Sequence, residues 1–349
     1  MTVPAPHTAT PKPEGPPDSS LRELTAELEA QRRAANAGYV RGWLRFFSCV
    51  VAALAPFALV GWSAAEIPAG AGEPTLRAQV RTLFASLPPQ AVGLGLVAWP
   101  ALWIAGGAFA FRREALAPRA AYVRDFKARV FAAVCKEHFP GIRYEPGEGI
   151  HWRVVDESGL FAHDSDVYTS EDRFSGRCGD TEVCFAEAVA QVEKRRGFGK
   201  DRETVYETYF RGIVFIADFN KHFHATIRLV PRDAKAASAP GEERVRLEDP
   251  RFEALFQTSA TDATNARYVL SPALMERLAA LNARHHGLRA RFHAGRLLLL
   301  LPASGDRFEP SLDRRADDTG QITSFVSQVR SCLAVVDALN LNTRIWTKR

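Results

Sequence analysis

The order of apolar and polar positions divides this chain into two regimes. Two runs between Leu44 and Phe111 carry no acidic or basic residue: FFSCVVAALAPFALVGW (Phe46–Trp62) and AVGLGLVAWPALWIAGGAFAF (Ala91–Phe111). Each approaches the roughly 20 helical residues that cross a hydrocarbon core. A buried core helix keeps a polar face, whereas these runs are apolar all round. Pro56, Pro100 and several glycines weaken each span alone, so the pair is read as an inserted hairpin. Beyond Phe111 the pattern breaks into short helical and strand-like periods, as a globular body requires.

The flanks set an orientation. Trp43 and Trp62 bracket the first run, as interfacial aromatics do. Arg32, Arg33, Arg41 and Arg45 precede it, and Arg112, Arg113, Arg119 and Arg124 follow the second run. The loop 63–90 holds only Arg77 and Arg81, beside Glu66 and Glu73. Positive flanks stay in the cytoplasm, so both ends of the chain and the body are expected there. Within the loop, SAAEIPAGAGEP is flexible in composition. TLRAQVRTLFASL then places Leu76, Val80, Leu83 or Phe84, and Leu87 on one face of an amphipathic helix suited to the outer leaflet.

Elsewhere the pattern predicts a disordered Pro- and Thr-rich tail over 1–18 and a helix over 19–43, capped by Ser19 or Ser20, that runs into the first span. ALAPRAAYVRDFKARVFAAVCKEHF is a helix burying Val123, Phe126, Val130, Phe131 and Val134. HWRVVDE reads as a short strand, and DRFSGRCGDTEVCFAEAVAQVEKR as two strands about a Gly-Asp turn. Tyr209–Pro231 reads as a central antiparallel hairpin turning near Asp218–Lys221. RVRLEDPRFEALFQTSA gives strand, short helix, strand; SPALMERLAALNARHHG is a helix from Pro272 to Gly287. LRARFHAGRLLLLLPA is a hairpin whose second arm is buried on both faces. ADDTGQITSFVSQVRSCLAVVDALNL is a last helix, and RIW a terminal strand. Strands and helices come in blocks without βαβ alternation. The fold class is therefore α+β over 112–349, a mainly antiparallel sheet with flanking helices, preceded by the transmembrane hairpin of 44–111.

Composition changes the picture little. The 349 residues carry a net charge of +5, much of it beside the spans, and no nucleic-acid signature accompanies it. Five scattered cysteines fit a reducing compartment better than a disulfide framework. No Gly-x-Ser-x-Gly elbow, phosphate loop, dinucleotide fingerprint or His-Glu-x-x-His helix occurs. FAHDSDVYTSED (Phe161–Asp172) is rich in carboxylates but departs from a calcium loop after two positions, so a solvated loop is the better reading. Should the body hold a ligand, the corner Asp218, Asn220 and Lys221, with His222 and His224 sharing one face beyond it, is what the sequence offers. Turn chemistry alone also accounts for the first three. No cofactor and no metal are expected. The competing reading is a membrane-tethered enzyme with a dispersed site of Asp164, Asp166, His222 and His224.

Three segments, FRGIVFIADFNKHF, VRLEDPRFEALFQTSATDATNARYVLSPALMERLAAL and FEPSL, resemble a bacterial family of membrane-anchored proteins of unknown function. The resemblance spans most of 115–340. It implies an N-terminal transmembrane pair before a cytoplasmic domain, an inner-membrane location and an envelope partner, of the LemA type or another. It brings no catalytic residues. A binding or scaffold domain held at the bilayer is therefore the expected role.

Overall fold

The computed structural model describes residues 19–65, 75–196, 203–219, 221–234 and 240–343. The expected tail, the loop residues 66–74, Asn220 and the RIW strand lie outside these. The chain divides into two compact units, Met1–Tyr122 with Leu312–Asp317, and Val123–Ser311 with Asp318–Arg349.

The first unit is helical. It contains α1 (Ser19–Ala64), α2 (Thr75–Ser86) and α3 (Pro89–Phe111), with a π-helical turn at Arg112–Leu116 leading into α4 (Ala117–Phe126). Antiparallel packing of α1 on α3 follows a seam of small residues, which let two backbones approach closely. A Cβ added at Gly107 would lie 2.8 Å from the Cys49 Cβ, and one at Gly42 would lie 2.9 Å from the Ala115 Cβ. Trp99 crosses the seam to donate its indole N–H to the Ala52 carbonyl at 2.9 Å. Away from the seam, large apolar side chains face outward, from Leu54 at 58% exposed to Leu94 at 72%. Both helices are long and apolar enough to cross a membrane.

Nearer its start, α1 holds a polar clasp. The Glu29 carboxylate accepts from Arg32 and Arg33, each at 2.8 Å, and from the Ala316 backbone N–H at 3.0 Å. Arg32 and Asn36 both donate to the Leu312 carbonyl. Arg119 donates to the Asn36 side-chain Oδ1 and stacks 3.8 Å over the Tyr39 ring. These bonds fold Leu312–Asp317 with the helices.

The second unit is built on a nine-stranded sheet whose recorded pairings are all antiparallel. A π-helical turn (Lys127–Phe131) and α5 (Ala132–His138) come first, then β1 (Ile142–Glu145) and α6 (Trp152–Asp156). The long strands β2 (Val167–Cys178), β3 (Thr181–Arg196) and β4 (Glu203–Asp218) follow, then β5 (Ile227–Pro231) and β6 (Glu243–Arg244). Next are α7 (Pro250–Leu255), β7 (Phe256–Ala260), α8 (Ala263–Val269) and α9 (Pro272–Arg284). The chain closes with β8 (Arg289–His293), β9 (Arg296–Pro302) and α10 (Thr319–Ala338). Strand order is β1-β2-β3-β4-β9-β8-β5-β7-β6.

One row of register partners runs Tyr144, Phe174, Phe185, Phe215, Leu299, Ala290, Leu229, Thr258 across eight strands. Its aromatic end stacks ring on ring, 4.6 Å from Tyr144 to Phe174 and 4.7 Å from Phe174 to Phe185. Phe325 of α10 covers that end, itself stacked 4.1 Å on Phe131. Ala186, Ala188, Val214, Leu298 and Leu300 form a second cluster with Ile150, Val155 and Leu160 around α6. With Leu297–Leu301 buried throughout, β9 is covered on both faces, as its sequence predicts.

Three expectations fail here. Phe161–Asp172 is not a solvated loop throughout, since Val167–Asp172 opens β2 and Asp172 is buried. HWRVVDE forms α6, because the His151 ring accepts from the Arg153 N–H at 3.3 Å and Val155 turns fully inward. Nor is Tyr209–Pro231 a hairpin: β4 and β5 do not pair, and β9 and β8 stand between them. At about 4.8 Å per strand the two lie roughly 14 Å apart. The linking segment buries Phe219, Phe223 and Ala225, with Phe219 edge-on to Phe292 of β8. The Phe219 N–H donates to Gly295 in the β8–β9 turn, so the chain passes that turn before re-entering the sheet. Alternation of burial persists through Thr226 and stops at Arg228, which is 4% exposed.

Candidate functional site

Two backbone irregularities aim charged side chains at each other. A bulge between Glu171 and Phe174 gives β2 an extra residue, and Asp172 there has φ +57°. Asp is among the few residues that tolerate this left-handed conformation, and bulges re-aim side chains. On the helical side, the π turn begins at Lys127; such turns are often found at functional positions. Lys127 Nζ donates to Asp172 Oδ2 at 2.9 Å and bonds Glu309, with Glu171 at 3.5 Å. Tyr144, at the end of the aromatic row, donates its hydroxyl to Asp172 Oδ1 at 2.5 Å. The Lys127 and Asp172 side chains are 4% and 1% exposed.

The electrostatics follow from that burial. Loss of water raises the Asp172 carboxyl to about 6, against the opposing pull of Lys127 and its hydrogen bonds. Burial alone would lower Lys127, but Asp172 and Glu309 outweigh it and the ammonium is held above its ordinary value. Burial and the facing Asp172 carboxylate push the Tyr144 hydroxyl up strongly. Burial likewise raises Glu187, whose carboxylate accepts the Arg307 N–H at 3.0 Å. A lysine held protonated is neither nucleophile nor base. Glu171, Asp172 and Glu309 each bring an oxygen within 4.8 Å of the others, a spacing that suits a metal ion. Lys127 bonds or faces all three, so its ammonium already supplies the positive charge such a cluster needs. The arrangement fastens the helical turn to β2 and to the FEPSL segment.

A second polar group lies on the face of the sheet covered by α6. Arg228 and Arg291 are register partners, and Arg289 follows two residues along β8, so all three project to one side. They donate to the carbonyls of Gly159, Glu157 and Leu160. Arg228 also pairs with Glu242 at 2.5 Å, both nearly buried, and Arg289 lies 4.2 Å over the Phe161 ring. Three guanidinium groups thus satisfy the backbone just after α6.

Of the corner residues, Lys221 is tied to a neighbouring helix. Lys221 donates to the Tyr268 and Val269 carbonyls at 2.9 and 3.3 Å and caps the end of α8, as cations do at helix C-termini. Burial lowers its pKa. Asp218 is half-buried at the end of β4, while His222 and His224 are exposed. Asn220 lies outside the described residues. Asp166 accepts the Glu193 N–H at 2.7 Å at the start of β2, and His163 packs 4.5 Å from Tyr209. From Tyr209 to Asp218 an extended strand covers about 30 Å. The structure therefore separates Asp164 and Asp166 from His222 and His224, and the dispersed Asp/His site does not assemble. Sequence reasoning passed over Lys127, Tyr144 and Glu309. Lys127 lay in the helix read over Ala115–Phe139 and Glu309 in FEPSL, but neither was read there as a charged partner.

Sequence comparison now adds a label. Residues 208–341 match the family model described as a protein of unknown function, DUF3137. This DUF3137 segment runs from β4 through α10 and includes Glu309, Lys221 and the three arginines. It leaves out Lys127, Tyr144 and Asp172. No curated protein matches the chain. Among solved structures it is similar to the mycobacterial trehalose monomycolate transport factor A, TtfA, at 12% identity and a TM-score of 0.31, over 61% of this chain and 96% of that one.

Proposed function

We propose that this is a bacterial inner-membrane protein with two spans, both ends of the chain in the cytoplasm, and an α+β domain that serves as a binding module for an envelope-associated protein of the LemA type or another. The carrying observation is the outward apolar surface of α1 and α3, where Val51, Leu94, Val97 and Leu102 are 68% to 72% exposed. A soluble monomer rarely leaves so continuous a patch in water, whereas lipid covers it at no cost. The arginines flanking both spans favour the cytoplasm for the body. The binding role rests on the sheet unit's ion network, whose described bonds fasten structural elements to one another. Lys127 is engaged by carboxylates, and the three arginines donate to backbone carbonyls, with Arg228 also paired to Glu242.

Membrane fractionation with alkaline carbonate, combined with a C-terminal reporter active only in the cytoplasm, tests the anchor and its orientation. Retention in the membrane pellet with an active reporter is expected. Release by carbonate, or an inactive reporter on a stable protein, overturns the reading.

A further inference from the structure

The loop helix α2 has a placement that the two-span anchor does not use. Side chains advance about 100° per residue around a helix. On that wheel Leu76, Val80, Leu83, Phe84 and Leu87, the last just past the helix end, gather in one stripe roughly 100° wide, the width of an apolar helix face. Leu76 and Leu83 are 66% and 61% exposed, and no described residue of the unit covers them. The only charges on α2 are Arg77 and Arg81, four residues apart on the neighbouring face. Both turn to the end of α1: Arg77 donates to the Ala65 carbonyl and lies 5.9 Å over the Trp62 ring, and Arg81 donates to the Ser63 carbonyl at 2.9 Å. The last carbonyls of α1 lack helical partners, so these arginines cap it.

We infer that α2 is an interfacial helix, its Leu76, Leu83 and Leu87 face lying on the lipid surface at the outer end of the hairpin while Arg77 and Arg81 tie it to α1. The inference rests on the two-span reading proposed above. Lipid is the occupant because α2 lies between the two spans in sequence and follows directly into α3, with only Leu87 and Pro88 between them. Its leucines therefore continue an apolar surface that lipid already covers. No carboxylate lies on α2, and both guanidinium groups turn to the end of α1 and away from the leucine face, so seating the leucines does not carry them toward the lipid.

The test uses the full-length chain with its native cysteines replaced, reconstituted in nanodiscs of phosphatidylethanolamine and phosphatidylglycerol. Single cysteines at Leu83, at Thr82 on the polar face and at Leu54 in the first span carry an environment-sensitive fluorophore. The label at Leu83 is expected to be quenched by shallow spin-labelled lipids and protected from iodide about threefold relative to Thr82, as interfacial burial requires. Leu54 should respond to deep spin-labelled lipids. If Leu54 is quenched by lipid while Leu83 responds only to iodide, the spans stand and the inference falls. Absence of lipid quenching at both positions would defeat the anchor itself. Efficient cross-linking of Leu83 between copies, without lipid quenching, would assign the face to self-association and overturn the lipid reading.

Discussion

Replacing Lys127 by Met keeps most of the side-chain volume and removes the ammonium. Asp172, 1% exposed, then loses its counter-ion but keeps the Tyr144 hydroxyl. Removing one partner of a buried ion pair costs about 3–5 kcal/mol, because the remaining charge sits uncompensated. That is a large part of the 5–15 kcal/mol that typically holds a domain together. The loss should be largest near pH 8 and should shrink near pH 5, where Asp172, raised to about 6, is already protonated. Asp172→Asn should cost less than Lys127→Met, since Asn also tolerates positive φ and can accept from Tyr144. The double variant should recover much of the Lys127→Met loss, giving a coupling of about 2 kcal/mol or more. Thermal melts of the four proteins in one detergent, read by near-ultraviolet circular dichroism, complete the cycle. Lys194→Met serves as a control: its bond to Glu207 is 51% and 48% exposed, and such pairs contribute about 0–1 kcal/mol. Equal small effects at Lys127 and Lys194, or strictly additive losses in the double variant, would show that the network is not coupled.

Four further outcomes follow, the first from Asp172 itself. Because Asp172 titrates near 6 when folded and near 3.9 when unfolded, its carboxyl favours folding most below about pH 4 and less as the pH rises through 6. Stability of the wild type relative to Asp172→Asn should fall by about 3 kcal/mol across that window, and a flat difference would contradict the burial argument. Gly107→Leu places carbons where Cys49 already lies 2.8 Å from a bare Cβ, so cross-linking between cysteines introduced on facing positions of α1 and α3 should drop sharply; unchanged cross-linking would mean the helices do not pack along that seam. Phe215→Ala, in the fully buried aromatic row, should cost about 3–5 kcal/mol. His222→Ala and His224→Ala should cost within about 0.5 kcal/mol, as exposed substitutions do, and stoichiometric zinc lost from either histidine variant would reverse that assignment.

What could be read from the sequence was what repeats at a short period. The uncharged runs, the inward leucines of β9, Pro272 opening α9 and the Gly179-Asp180 turn all declare themselves within about ten residues. The missed features depend on partners far away in sequence. Nothing in Tyr209–Pro231 shows that β9 will insert beside β4, since two adjacent apolar strands look the same whether or not they pair. HWRVVDE carries two β-branched valines, and its helix is fixed by the His151 cap and by the arginines of β5 and β8. The aim of Asp172 depends on a bulge, which a count of alternating residues averages away. The clasp of Glu29 on Ala316 joins positions 287 residues apart and has no local mark at either end.

The insertion of β9 also sets an order of events during synthesis. The Ile213–Ala217 stretch of β4 is wholly apolar, and the strand's partner on one side is Arg296–Pro302, with Asp218 opposite Arg296. Roughly eighty residues must be made after Asp218 before that edge can close. At about 5–20 residues per second the wait is on the order of 4–16 s. Over that interval the backbone donors and acceptors of Ile213–Ala217 are open to any strand that passes, a recognised route to mispairing. The hairpin segment emerges first, so a nascent chain already seated in the bilayer would wait as a tethered molecule, shielded from the encounters that a freely diffusing one would meet.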